Sequence, residues 1–207
     1  MRDGSSLGYR PRGWPAAGRP PAGGGDPFPR VTLLDLARRA IGAAHDAAHA
    51  PAQQAWVRSV LTPAELAIWE RQAAYDRSHS VRAARRLERR LAATPHAGDT
   101  RWPAAALLHD VGKTAAALSM VERAGATLSR RAVGLTRARG WAALPTGLRR
   151  RVGLYLIHGE IGAAIIREAG GREEVALWAE VHQTHPGGPA AGIPAAVADA
   201  LLATDTG

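Results

Sequence analysis

Ala104-Ala105-Ala106-Leu107-Leu108-His109-Asp110-Val111-Gly112-Lys113 is the stretch around which the rest of the chain organises. Its unbroken apolar run predicts a short helix over 104–110, hydrophobic on every side and therefore buried. The end of that helix carries an imidazole and a carboxylate side by side. Burying such a pair is costly unless each group finds a partner. A divalent metal is an efficient one, because both groups are natural ligands. The plainer reading is a buried His–Asp hydrogen bond, or a charge pair at a helix terminus. Gly112 predicts a sharp turn that breaks the helix and leaves room for a substrate. Lys113 sets a compact positive charge beside the pair, and it is the only lysine in a chain that otherwise uses arginine.

Outward from this stretch the pattern is helical throughout. Leu33, Leu34, Ala37 and Ile41 follow helix spacing from Val31 onward, and Pro51 is expected to end that segment. A helix over 53–61 precedes Thr62-Pro63-Ala64-Glu65, a start signal with a capping threonine, proline at the first helical position and a glutamate placed to close a capping box. The next helix, with Leu66, Ile68 and Trp69, is expected to end near Asp76. There Asp76 or Ser78 would cap a helix through Leu91 whose stripe is Val81, Ala84, Leu87 and Leu91. Beyond the central stretch, helices are expected over 119–139 with a break near Gly125, then over 146–157, 159–169, 173–184 and 194–204. No alternation of strand type and no internal repeat stands out. The expected fold class is all-α, a multi-helix bundle over 30–207 behind a Gly/Pro/Arg-rich tail at 1–29. That tail has too few apolar side chains to offset the entropy of ordering.

The heptapeptide 107–113 resembles the signature of the HD superfamily, in its HD-x-G-K form. Other segments resemble that family's remaining elements in the same order. Ser78-His79-Ser80-Val81 is similar to the upstream first ligand, and His158-Gly159-Glu160-Ile161-Gly162 to the H-P-x-x-G element. Trp178-Ala179-Glu180-Val181-His182-Gln183 resembles the region that often carries a histidine pair, and Leu201-Leu202-Ala203-Thr204-Asp205 the closing helix and its aspartate. The resemblance implies that His79, His109, Asp110 and Asp205 hold one metal, with Asp110 bridging to a second held by His158 and His182. Nitrogen and oxygen ligands without sulfur suit Mn, Fe, Ni, Co or Zn better than Mg, as one ion or two. The implied chemistry is hydrolysis of a phosphomonoester or phosphodiester, with a nucleotide among the candidate substrates. The metal lowers the pKa of a bound water; Asp110 and Lys113 are the residues assigned to catalysis. The alternative is a regulatory or ligand-binding HD module that keeps the metal site with little or no turnover.

The sequence also departs from that family. Gly159 stands where proline is common, Gln183 where a second histidine is common, and His185-Pro186-Gly187-Gly188-Pro189 is not D-G-x-G-Y-P. Cyclic-di-GMP phosphodiesterase activity is therefore not implied. His185 shares a helix face with His182 if the helix continues, and is otherwise a loop residue. Asp199 competes with Asp205, but lies nearer the start of its helix, where a carboxylate favours the helix dipole. His45-Asp46-Ala47-Ala48-His49 repeats the HD pair without Gly-Lys and reads as polar surface, while His96 reads as a loop residue.

The chain has 207 residues, a formal net charge of +9 and no cysteine. Disulfides, thiolate metal sites and a cysteine nucleophile are excluded. The positive balance is carried by arginine without interleaved aromatics, so nucleic acid is not an expected partner. Arg82, Arg85, Arg86, Arg89 and Arg90 read as the solvent face of their helix, with Arg82 or Arg86 as a lesser candidate for gripping phosphate. No apolar run reaches membrane-spanning length, and the N-terminus lacks the apolar core of a secretory signal. A cytoplasmic protein acting on a small phosphoester or nucleotide, without a membrane partner, is the expectation.

Overall fold

The computed structural model describes residues 50–184 and 192–205. The tail at 1–29, the helix expected from Val31, the stretch His45–His49 and the loop beginning at His185 lie outside them. Within them the chain forms α1 (Ala50–Val60), α2 (Pro63–Glu70), α3 (Ala74–Leu91), α4 (Arg101–Leu108) and a 3-10 helix (Val111–Ala116). There follow α5 (Met120–Ala142), α6 (Leu148–Leu156), α7 (His158–Glu168), α8 (Glu173–Val181) and α9 (Ala195–Asp205). No strand occurs among the described residues, and no helix there is long and apolar enough to cross a membrane.

The hydrophobic helix α4 is the centre of the bundle. Ala104, Ala105, Leu107 and Leu108 are all 0% exposed. Small alanine faces let α3, α8 and α9 approach α4 closely, and Leu87, Val175, Ala179, Val197 and Leu201 fill the space between them. Each fully buried leucine contributes about 1.5–3 kcal/mol in apolar burial. Cutting Leu107 back to alanine would cost roughly 2–5 kcal/mol, because packed neighbours cannot collapse into the gap.

The start of α2 is capped as its sequence predicts. The Glu65 amide donates to Thr62 Oγ1 and the Thr62 amide to Glu65 Oε2, with Pro63 in the first turn. Glu65 is also fully buried, and Arg172 from the α7–α8 loop clamps it through both backbone amide and guanidinium. One carboxylate thus caps a helix and ties α2 to a distant loop.

Several boundaries differ from expectation, each for a local reason. Pro51 lies in the first turn of α1, where its missing N–H costs nothing; the segment it was expected to end lies outside the described residues. Helix α2 stops at Glu70, and α3 starts at Ala74 behind Ala73 without a side-chain cap. Asp76 is therefore no cap: it lies buried in the first turn of α3 and accepts two hydrogen bonds from Arg123. The break in α5 falls at Gly134, not Gly125. Gly134 adopts φ 68°, a left-handed conformation that glycine takes without strain.

Candidate metal centre

Helix α4 ends at Leu108, earlier than Gly112. His109 is its C-cap, and Asp110 turns the chain into the 3-10 helix. The other groups arrive in the same manner. His158 is the first residue of α7, His182 is the C-cap of α8, and Asp205 is the last residue of α9. Only His79 comes from a helix interior, that of α3. Helix ends converge here because they can present side chains inward while the helix bodies pack around α4.

Gly112 does not leave room for a substrate. A Cβ at this position would lie 2.0 Å from the carbonyl oxygen of His158 and 2.6 Å from the Gly162 amide nitrogen. The missing side chain instead lets the 3-10 helix rest on the start of α7, which brings Asp110 against His158.

Six groups form two adjoining triads. His79, His109 and Asp205 make one, and Asp110, His158 and His182 the other, with the ligand atoms of each within 4.8 Å of one another. In the first, His109 Nε2 lies 2.9 Å and His79 Nε2 3.4 Å from Asp205 Oδ1. In the second, His158 Nε2 lies 3.0 Å and His182 Nε2 3.9 Å from Asp110 Oδ1. The triads touch through Asp110, whose Oδ2 is 3.4 Å from His109 Nε2. The His109 and His182 rings stack edge to face, 5.1 Å between centroids.

Three of the imidazoles share one tether. His109 Nδ1 lies 2.9 Å from the Ala106 carbonyl, His158 Nδ1 2.6 Å from that of Tyr155, and His182 Nδ1 2.7 Å from that of Ala179. A carbonyl only accepts, so each Nδ1 carries the proton and donates. Each ring thereby satisfies a carbonyl that the end of a helix leaves open. In return its tautomer is set, with the Nε2 lone pair aimed inward. His109 Nε2 and His158 Nε2 are both buried without a hydrogen-bond partner. Lone pairs of imidazole and carboxylate facing one another at about 3 Å are what a cation between them would resolve.

Charge reinforces the geometry. Burial pushes the Asp110 and Asp205 carboxyls up, but their neighbours outweigh it and hold both well below the usual carboxylate range. His109 and Lys113 act on Asp110, and His109 and His79 on Asp205. Burial lowers His109, yet the two carboxylates outweigh it and raise it to about 9, so without an ion its Nε2 holds a proton toward Asp205, and a cation bound there would displace that proton to use the lone pair. His182 is pushed down to about 3 by burial and by the adjacent His109 and His158. Burial also lowers His158. Two anions held in a nearly closed space thus face two imidazoles kept neutral, a combination that attracts positive charge. Lys113 supplies part of it directly: its Nζ contacts Asp110 Oδ2 and lies 5.8 Å from the centre of the Tyr155 ring. Asp205 is the most open of the six, with 32% of its side chain exposed against 2% for His109, so access is from its side.

All six residues named from sequence converge here. Asp205 rather than Asp199 is the late acid, for Asp199 is exposed. Gln183 stands behind the site, its side-chain nitrogen 3.2 Å from His158 Nδ1. His96 lies outside it, packed edge-on against Trp102. Among the arginines of α3, Arg85 pairs with Glu88 and covers the Trp56 ring, whereas Arg86 donates to the Thr204 carbonyl and braces the end of α9. Residues not foreseen are Tyr155, whose carbonyl accepts from His158 Nδ1 and whose ring faces Lys113, and Arg130, which donates to the Gln183 carbonyl just past His182. No family model, curated protein or solved structure matches this chain.

Proposed function

We propose that the chain is an HD-type metal-dependent phosphohydrolase, acting on a phosphomonoester or phosphodiester, with nucleotides among its candidate substrates. The observation that carries this reading is the pair of triads joined by Asp110, in which buried Nε2 lone pairs meet carboxylate oxygens. His79, His109 and Asp205 would hold one divalent ion, and His158 and His182 a second, with Asp110 shared. The set of imidazoles and carboxylates suits Mn, Fe, Ni, Co or Zn better than Mg. Bound there, such an ion supplies Lewis acidity and an activated water at neutral pH. The chain's own part is to fix the imidazoles through their Nδ1 tethers, to admit substrate beside Asp205, and to set Lys113 where phosphate charge accumulates. A cytoplasmic location and a small-molecule partner belong to the same reading.

One observation favours a second reading, a ligand-binding HD module with little turnover: five of the six side chains are at most 9% exposed. Metal analysis of the purified protein decides the site, and a panel of phosphoesters and nucleotides in added Mn²⁺ decides the activity. Under the hydrolase reading the protein carries metal and releases phosphate from part of the panel, and a His109→Ala/Asp110→Ala variant loses both. A variant that keeps its metal overturns the site. A metal-loaded wild type that cleaves nothing overturns the hydrolase in favour of the binding module.

A further inference from the structure

The hairpin of α5 and α6 gathers both exposed apolar surface and positive charge. Exposed large apolar side chains among the described residues are Val121 (83%), Leu128 (65%), Leu148 (54%) and Leu144 (38%), and all four lie on it. Val121, Gly125, Leu128 and Ala132 follow i, i+4, i+7, i+11 spacing, so they share one face of α5, and each is exposed. That stripe is about 16 Å long, three turns of helix. Beside it runs a groove of about 350 Å³ between α5 and α6, walled by Gly125, Ala126, Trp141, Leu148, Arg149 and Val152. Single exposed leucines are ordinary on a protein surface, whereas a contiguous apolar stripe beside a groove marks a docking site.

The charge around it is of one sign. Between residues 120 and 156 the sequence has eight arginines and a single acid, Glu122. Arg123 is engaged by Asp76, Arg139 by Glu160 and Arg151 by Glu122, which neutralises the one acid at the groove. Arg137, Arg149 and Arg150 have no acidic partner among the described residues. Arg149 is exposed and lies 6.0 Å from the centre of the Trp141 ring. Stacking covers the face of a guanidinium and leaves its N–H edges to acceptors such as carboxylates.

The occupant must bring apolar side chains and negative charge together. A second copy meeting the same face would set arginine against arginine. Residues 1–49 of this chain hold seven arginines and four acids, so they do not supply the charge either. Nucleic acid would have no use for the apolar stripe, and a flat lipid surface does not fill a groove. A helix of three or four turns, apolar on one face and acidic at its margins, matches the stripe in length, the groove in shape and the arginines in sign.

We propose that the α5–α6 hairpin docks an acidic amphipathic helix of a partner protein, with apolar side chains against Val121, Leu128 and Leu148 and carboxylates on Arg149 and Arg150. The surface is separate from the metal centre, and the inference stands or falls independently of the hydrolase reading.

The test uses the full chain and a fluorescently labelled helical peptide of roughly four turns. The peptide carries leucines at i, i+4, i+7 and i+11 with glutamates on both flanks; a matched peptide has lysines in place of the glutamates. Fluorescence anisotropy should show saturable binding of the glutamate peptide and none of the lysine peptide. Leu128→Asp and the double variant Arg149→Glu/Arg150→Glu should each bind the glutamate peptide about tenfold or more weakly. Both change exposed or half-buried positions, so their thermal unfolding should match wild type; if one unfolds, the other and the lysine peptide still decide. No saturable binding overturns the inference, as does equal binding of the lysine peptide or wild-type affinity in the variants. Two further measurements can overturn it. A wild type that ignores the peptide but sediments with phosphatidylserine vesicles, and loses this in both variants, assigns the surface to a membrane. A concentration-dependent dimer that Leu128→Asp abolishes assigns it to a second copy.

Discussion

Gly112 and His158 meet backbone to backbone, so closely that a single added methyl at Gly112 would lie 2.0 Å from the His158 carbonyl oxygen. Neither partner is a flexible side-chain tip, so relief requires the 3-10 helix and α7 to move apart. Gly112→Ala is expected to destabilise the fold by about 3 kcal/mol, the upper part of the overpacking range. It should also weaken metal retention by separating Asp110 from His158. Chemical denaturation together with metal analysis of the refolded protein checks both effects, and wild-type behaviour in both would contradict the contact.

The two triads predict a pattern of metal loss. His79→Ala or Asp205→Asn should remove the ion on their side first, and His158→Ala or His182→Ala the other. Asp110→Ala should empty both, because its two oxygens face different triads. Asp199→Asn, on the exposed side of α9, should change nothing. Elemental analysis of folded variants reads this directly. Equal loss from every ligand variant would point to a single shared ion.

Lys113 touches Asp110, yet belongs to neither triad. Lys113→Met should therefore keep the metal while losing turnover, by roughly 10²-fold in kcat if it stabilises charge building on phosphate. Steady-state kinetics on a cleaved phosphoester, with metal content as the control, tests this. Loss of metal along with activity would instead make Lys113 a prop for Asp110.

Glu65 gives a prediction away from the centre. Burial pushes its carboxyl up, but the Arg172 guanidinium and the amides of Thr62 and Arg172 outweigh it and hold its pKa below 4.5. A carboxyl with a lowered folded pKa contributes stability above its unfolded pKa, and loses that contribution as pH falls through the folded value. Glu65→Gln should cost about 3 kcal/mol at neutral pH by leaving Arg172 short of its charge partner. The gap between wild type and variant should narrow below pH 4.5. Urea titrations at a series of pH values measure it, and a gap that stays constant into acid would remove the ion pair from the account.

The six residues that converge were legible because His109-Asp110 with its Gly-Lys resembles the HD signature, and His79, His158, His182 and Asp205 fall in the order that resemblance implies. Asp205 could be chosen over Asp199 because it ends an apolar run, much as Asp110 does. What surrounds the centre was less legible. Asp76 reads as a helix cap from its neighbours alone, and only the arrival of Arg123 from a distant helix explains why it is buried. Gly112 reads as a turn, since nothing local says that α7 will press against it. The roles of Arg130 and Tyr155 depend on how α5 and α6 lie across the site, which periodicity along one helix does not determine. Helix identities followed from propensity and spacing, whereas their ends were set by tertiary demands such as placing His158 at the first position of α7.

His79 and Asp205 are separated by 126 positions in sequence and lie 3.4 Å apart. The chain has no cysteine, so no disulfide can span that interval. An ion gripped at both ends would act as a removable staple. A disulfide closing a loop of this length restricts the unfolded chain by about 5 kcal/mol on the chain-entropy account. A nick in a loop between those two residues would then leave two fragments held by the ion as well as by the shared core, and withdrawing the ion would loosen them.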